Sequence, residues 1–416
     1  MQGLVDIFAR RYPPIYNLLT ARLRLTLLVL ASIFAVTAYT SYIGLVLGAD
    51  GLFTRAGPMI GGDFVVFHTA GGLAGAPDAV GIYQLDRFAK VLEEAYPGHG
   101  PYDFGWQYPP TMFLIAAPFG ALPFTAGFAA WVAVFASLFA LTMRALWRDP
   151  GALALIMASP CIFLAVITGQ TGLLTASLVA LAAAFADRRP ILAGVAAGLL
   201  TVKPQLGLLI PLAFAFGGCW RAFFAAAVTA ITLALASFLA HGGAPWSAFI
   251  DAMGAIGGAM SDGAFPIHKL ATPYGAMSLV GAPQSAAILI QMISSLALAV
   301  YVAIVWRRTK VWELRLIALA TSARLATPYG LYYEFPVILI AMAMIAKLGV
   351  ETGWLKFERI ALIALWAAPL MTPAETAGPS IPVYFLMAFG AFWLGARRTL
   401  PAPSLNAERA PLHAGA

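Results

Sequence analysis

Gly61-Gly62-Asp63-Phe64 holds the first residue whose type and setting suit chemistry, a carboxylate placed after two glycines and before an apolar run. Glycine lets a backbone approach a ligand closely, and an aspartate at such a turn can serve as a general base. The same aspartate can instead cap the helix predicted over Phe64–Ala74, because aspartate is a preferred N-cap. Three cations, Lys203, Lys269 and Arg324, lie beside a proline or within or at the end of an apolar run. A cation at membrane depth costs ~2.5–3.5 kcal/mol, so each needs a partner, and an anionic ligand is the simplest one. Lys203-Pro204-Gln205 suits a phosphate at a break between two half-helices. The plainer reading is a lysine snorkelling from a span end. Arg324 has its own plain reading, a pair with Glu334 ten residues on.

Gln170 is a lone amide at the turn Gly169-Gln170-Thr171-Gly172. Trp106-Gln107-Tyr108-Pro109-Pro110 and the run from Tyr329 to Glu334 are aromatic turns. Their rings either stack on a sugar face or form an interfacial belt. His68, His99 and His241 read as structural, and His268-Lys269 sits in a loop as a candidate ligand contact. No His, Cys, Asp or Glu grouping has metal-ligand spacing, so neither metal nor other cofactor is expected. Cys161 and Cys219 lie in or beside apolar runs and read as buried, inert thiols.

The elements that hold these residues must be membrane helices. Of 416 residues, 61% are hydrophobic and only 10% charged, and mean hydropathy is +0.84. A soluble domain carries about 25% charged residues; a chain this poor in charge needs lipid as its solvent. The net charge of +7 comes from short Lys/Arg clusters between apolar runs, the pattern of topology signals, so nucleic acid is not an expected partner. The expected fold is an all-α polytopic membrane protein with about 10–12 transmembrane helices and interfacial helices in the first outer loop.

Leu25–Leu47 reads as a retained first span behind Arg22 and Arg24, without a cleavage site. The first outer loop, 49–123, carries Asp63 and two amphipathic stretches, Phe64–Ala74 and Gln84–Tyr96, expected to lie on the membrane surface. Pro109–Leu122 is too short to cross and is expected in the outer interface. Spans then alternate: Phe124–Trp147, Ala152–Thr168, Leu173–Ala186, a short pair Pro190–Val202 and Leu206–Phe216 meeting at Lys203, and Phe223–Ala240. A Gly-rich second outer loop, Gly242–Pro283, follows. Gln284–Trp306, Leu314–Ala326, Phe335–Ala346, Ile360–Met371 and Ile381–Leu394 complete the set. A single transmembrane domain over 1–398 and a Pro/Ala-rich cytoplasmic tail, 399–416, expected to be disordered, result. This topology puts 19 of the 25 basic residues inside and 11 of the 18 acidic ones outside, the bias that orients a membrane protein with both termini inside.

The order of these features resembles the integral-membrane, C-superfamily glycosyltransferases that use polyprenyl-phosphate sugars, and within them family 87, the polyprenol-phosphate-mannose-dependent mannosyltransferases. The residues that carry the resemblance are Gly62-Asp63-Phe64 with Tyr83, Tyr108-Pro109-Pro110 followed by Leu122-Pro123, Gly169-Gln170, Gly194 to Gly198 leading into Lys203-Pro204, and Thr327-Pro328-Tyr329. The resemblance implies Asp63 as catalytic base, a lipid-phosphate donor, a lipid or glycan acceptor, no metal, and an active site on the outer face of a bacterial inner membrane. Tyr108, Gln170, Lys203, Gln205, His268, Arg324, Tyr329 and Glu334 are the expected substrate contacts. Relatives often carry a histidine after the late Thr-Pro; Tyr329 to Glu334 has none. A twelve-span transporter and a lipid-linked glycan ligase or polymerase are the competing readings, with a scramblase or assembly protein behind them. A transporter predicts two related halves and charges near the bilayer midplane; here the halves look unlike and the polar residues crowd one side.

Overall fold

A computed structural model describes residues 22–97, 105–261, 265–371 and 382–400. The basic N-terminal stretch before Arg22, His99 and the tail beyond residue 400 lie outside them. Among the described residues every named element is helical, with only isolated β-bridges besides.

Helix α1, Leu23–Leu47, is a full-length span. Leu25, Leu30, Ile33 and Val36 on it are all more than half exposed, which is stable only against lipid. After α1 come α2, Phe64–Gly72, α3, Leu85–Ala95, and α4, Thr111–Gly120. Only α3 is the amphipathic surface helix expected, with Phe88 and Leu92 inward and its acidic and basic side chains outward. The expectation for Phe64–Ala74 is corrected: Phe64, Val65, Val66 and Phe67 are all buried. The helix has no polar face, and α4 covers it. A Cβ on Gly71 would stand 2.4 Å from the Ala116 carbonyl oxygen, so the two backbones touch.

Helix α5, Phe124–Leu146, is the second full span. The next run divides into α6, Pro150–Met157, and α7, Pro160–Ile167, bent by 50°. Pro160 removes a backbone donor at the break, and Ser159 caps the second half by accepting from the Ile162 amide. Helix α8, Gly172–Phe185, is buried along nearly its whole length. It packs on α5, on α9, Pro190–Leu199, and on two later helices; its Gly, Ala, Ser and Thr residues permit that close approach. Lys203 stands at the expected vertex, after a 3₁₀ turn and before α10, Pro204–Gly207, and α11, Ile210–Gly217.

Helix α12, Trp220–His241, is largely lipid-facing. The segment expected as a Gly-rich loop instead contains α13, Ala244–Ser261, and α14, Pro273–Leu279. Gly254, Gly257 and Gly258 lower helix propensity and hid α13, whose glycines meet no other atoms within 4 Å where a Cβ would stand. Helices α15, Gln284–Arg308, α16, Trp312–Ala323, α17, Phe335–Thr352, α18, Glu358–Ala367, and α19, Val383–Thr399, complete the chain. Helices α8, α16 and α17 form the protein-buried centre.

Among the described residues five helices are long and apolar enough to cross a membrane, or six if α6 and α7 count as one broken span. The protein is thus an all-α polytopic membrane protein. The figure of 10–12 crossings counted short runs as full spans; several of these are apolar helices of 10–17 residues. Ion pairs nevertheless join groups assigned to one side. Arg24 meets Asp149, Arg315 meets Asp187, Lys347 meets Glu313, and Arg398 meets Glu358.

Candidate active site

Asp63 stands at the N-terminus of α2, yet its side chain makes no cap hydrogen bond. Its carboxylate instead accepts a 2.5 Å bond from Gln170 Nε2, and its amide donates to the Thr168 carbonyl at 2.9 Å. The turn is built by interlocking glycines. Gly62 has φ +49° and Gly169 has φ +61°, left-handed conformations that glycine adopts without strain. A Cβ on Gly169 would lie 2.5 Å from both the Gly61 carbonyl oxygen and Phe64 Cβ. The break between α7 and α8 is thereby pressed against the Asp63 turn, and the carboxylate is left half-buried.

Tyr108 fixes the orientation of Gln170. Its hydroxyl donates to Gln170 Oε1 at 3.2 Å, which directs the amide nitrogen to Asp63. The Tyr83 hydroxyl in turn donates to the Tyr108 carbonyl at 3.0 Å. Burial pushes the Tyr108 phenol well above its ordinary range, and the Glu334 and Asp63 charges push it further, so it remains a proton donor. Tyr329 behaves alike: burial raises its phenol, and its hydroxyl donates to Gln107 Oε1.

Lys203 and Glu334 form an ion pair with side chains 4% and 2% exposed. Lys203 Nζ also donates to Thr171 Oγ1 at 3.1 Å and lies 5.3 Å from the Tyr108 ring centre and 4.9 Å from that of Tyr333. Thr175 donates to the other Glu334 oxygen at 2.7 Å. An ammonium has three donors, so one remains beyond Thr171 and Glu334.

Arg324, at the end of α16, is fully buried. One terminal nitrogen donates to the Leu331 carbonyl at 2.5 Å, and the guanidinium stacks 4.5 Å over the Phe335 ring. Its Nε and Nη1 have no hydrogen-bond partner. The alternative pair with Glu334 is not made, because Glu334 is engaged with Lys203 and Thr175. Phe335 also lines a narrow apolar cleft with Cys161, Ile338, Leu339, Leu365 and Trp366.

Residues 106–328, more than half of the chain, match glycosyltransferase family 87. The chain belongs to that family. No curated protein and no solved structure matches it. It is therefore a membrane glycosyltransferase, acting on a sugar donor and an acceptor. The matched residues include Tyr108, Gln170, Lys203, Gln205, His268 and Arg324, whereas Asp63, Tyr329 and Glu334 lie outside them.

In this glycosyltransferase the structure brings Asp63, Gln170, Tyr108, Lys203 and Glu334 into one hydrogen-bonded and charged cluster, with Tyr329 beside it through Gln107. Gln205 is half-buried two residues beyond Lys203, and its side chain makes no hydrogen bond among the described residues. His268 lies in the 3₁₀ turn Ile267–Lys269. Its loop is tied to the Tyr329 turn by the Ala271 amide, which donates to the Gly330 carbonyl at 2.8 Å. Thr171, Thr175, Tyr83 and Gln107 are neighbours in this candidate site that the sequence alone does not single out as site residues. Thr175 gives no signal at all, being one hydroxyl inside an apolar helix. Among the described residues no group of three His, Cys, Asp or Glu side chains is placed to hold a metal.

Proposed function

We propose that this glycosyltransferase moves a single hexose, with mannose favoured by the family resemblance, from a polyprenyl-phosphate donor to a hydroxyl of a lipid or glycan acceptor. The reaction takes place at the outer face of a bacterial inner membrane. The observation that carries this reading is the pairing of an uncapped, half-buried Asp63 carboxylate with a buried cationic wall, in which Arg324 keeps two nitrogens without partners.

Asp63 takes the proton of the acceptor hydroxyl. The acceptor oxygen bonds to the anomeric carbon from the face opposite the phosphate, and the bond from that carbon to the phosphate oxygen breaks. Polyprenyl phosphate leaves with the electron pair, and the anomeric centre inverts. The leaving phosphate gains charge, which Arg324 and the remaining donor of Lys203 stabilise where water is scarce. Gln170 and Tyr108 orient the base, while Tyr329, Glu334, Gln205 and the His268 loop border the sugar and the acceptor. A nucleotide-sugar donor would leave the buried setting of Arg324 unexplained, since such a donor needs no access from the hydrocarbon.

The test is transfer by purified protein from labelled polyprenyl-phosphate mannose into a membrane lipid extract, with EDTA present, beside a reaction supplied with nucleotide-diphosphate mannose. Transfer from the lipid donor alone, unaffected by EDTA, is expected. Transfer from the nucleotide sugar alone, or none from any lipid-phosphate sugar, would overturn the donor assignment.

A further inference from the structure

A second cavity lies at the opposite end of the helices that hold the candidate site. Helix α5 begins at Phe124, whose ring packs 5.4 Å from Phe64, and ends at Leu146 on this cavity. Helix α16 runs from Trp312 in the cavity to Arg324, and α17 from Phe335 to Lys347 and Glu351 in the cavity. The cavity is an open cleft of about 920 Å³, roomy enough for a lipid headgroup, since small-molecule sites span ~300–1,000 Å³. Its lining is mostly polar, unlike a prenyl groove.

The charges in it divide into two groups by their pairing. In one group Lys347 bridges Glu313 at 2.8 Å and Glu351 at 2.9 Å, a single cation for two carboxylates. Glu313 is 2% exposed, and its Oε2 has no hydrogen-bond partner. In the other group Arg148 and Arg188 are exposed and make no ion pair among the described residues, while Arg24 is already taken by Asp149. Trp147 and Trp312 are part of the wall. Lys347 sits 5.5 Å over the Trp312 ring. The cavity therefore has surplus negative charge at Glu313 and Glu351 and surplus positive charge at Arg148 and Arg188. Lipid-facing side chains, such as Leu141 on α5, are close by.

We propose that this cavity binds the headgroup of a primary-amine zwitterionic phospholipid of the phosphatidylethanolamine type. The phosphate meets Arg148 and Arg188, the ammonium donates to Glu313 and Glu351, and the acyl chains stay in the bilayer beside α5. A quaternary choline head carries the same charges but has no N–H to donate to Glu313, and a phosphatidylglycerol head has no cation. Selectivity for the primary amine is thus the signature of the site.

The experiment is native mass spectrometry of the full-length, delipidated protein titrated with phosphatidylethanolamine, phosphatidylcholine and phosphatidylglycerol. One ethanolamine lipid should be held about tenfold more tightly than either of the others, as expected for one or two charge-assisted hydrogen bonds. Glu313→Gln should erase the preference over choline, and Arg148→Ala or Arg188→Ala should weaken retention of all three. Because Glu313 is buried, the exposed Glu351→Gln keeps the test sound if Glu313→Gln fails to fold; it should also reduce the preference. Equal retention of ethanolamine and choline lipids, or variants that retain wild-type selectivity, would overturn the proposal. Displacement of the bound lipid by an equal concentration of chain-free glycerophosphoethanolamine would overturn the lipid assignment.

Discussion

Lys203 and Glu334 are 131 residues apart in the chain and meet as an ion pair that is almost wholly buried. The pair ties the vertex between α9 and α10 to the turn that starts α17. It also holds the ammonium against Thr171 and the rings of Tyr108 and Tyr333. Removing one partner leaves the other charged, buried and uncompensated, a loss of about 3–5 kcal/mol. Lys203→Met and Glu334→Gln are each expected to lower the thermal midpoint in detergent. The double variant should lose less than the sum of the two. A scan of all three variants checks this, and strict additivity would mean the pair is not coupled.

In the proposed mechanism Gln170, which donates to the Asp63 carboxylate, positions the base and does not itself react. Gln170→Ala removes a hydrogen bond to a charged group, worth ~1.5–3 kcal/mol. The expected effect is a fall of about 10–100-fold in kcat with little change in KM, because the base has lost the donor that holds it. Tyr108→Phe frees the Gln170 amide to flip and should give a milder version of the same change. The Tyr108 phenol is raised above its ordinary value of 10, so it stays protonated and contributes no alkaline limb below that pH. A kcat in Gln170→Ala within about twofold of wild type would remove Gln170 from this role.

Arg324 separates function from stability. Its Nε and Nη1 are unsatisfied, which costs stability unless a ligand arrives. Arg324→Met should leave the thermal midpoint within about 1 kcal/mol of wild type in stability, since an unpaired buried charge disappears. It should lower kcat/KM for the lipid-phosphate donor by ~100-fold or more. Arg324→Lys keeps the charge but not the planar fork and should recover only part of the loss. A large loss of stability in Arg324→Met would make the residue structural.

Gly169 tests the interlocked turn. Alanine there must adopt φ +61° and place a methyl group 2.5 Å from Phe64 Cβ. The strain alone is about 1 kcal/mol or more, and the contact must push the Asp63 turn away. Gly169→Ala should therefore lower both activity and thermal midpoint, whereas Gly218→Ala, where a Cβ meets nothing within 4 Å, should affect stability only slightly through its positive φ.

The membrane class and most helix positions were legible in the sequence, because hydropathy reports directly on lipid. The vertex at Lys203 was visible for the same reason: two short apolar runs meet at a Lys-Pro. Helix α2 was misread because its apolar run looks the same whether it faces lipid or a neighbouring helix, and only the Gly71 contact with α4 distinguishes the two. Helix α13 was missed because its glycines read as loop. In the site, Asp63, Gln170, Lys203 and Arg324 stood out as polar residues in apolar surroundings. Their connections did not. Which anion Lys203 meets, and that Gln170 bridges Asp63 to Tyr108, depends on contacts between segments 62 to 131 residues apart. No local pattern encodes these.

Asp63 as the general base is the central claim, and Asp63→Asn tests it most directly. The amide keeps the size of the side chain and can still hydrogen-bond to Gln170 if that amide flips, so folding should be preserved. With labelled polyprenyl-phosphate mannose, donor binding should remain near wild type, while kcat should fall by about 10²–10⁴-fold, the usual contribution of a positioned base. Wild-type turnover in a folded Asp63→Asn protein would contradict the assignment and move the search for the base elsewhere in the cluster.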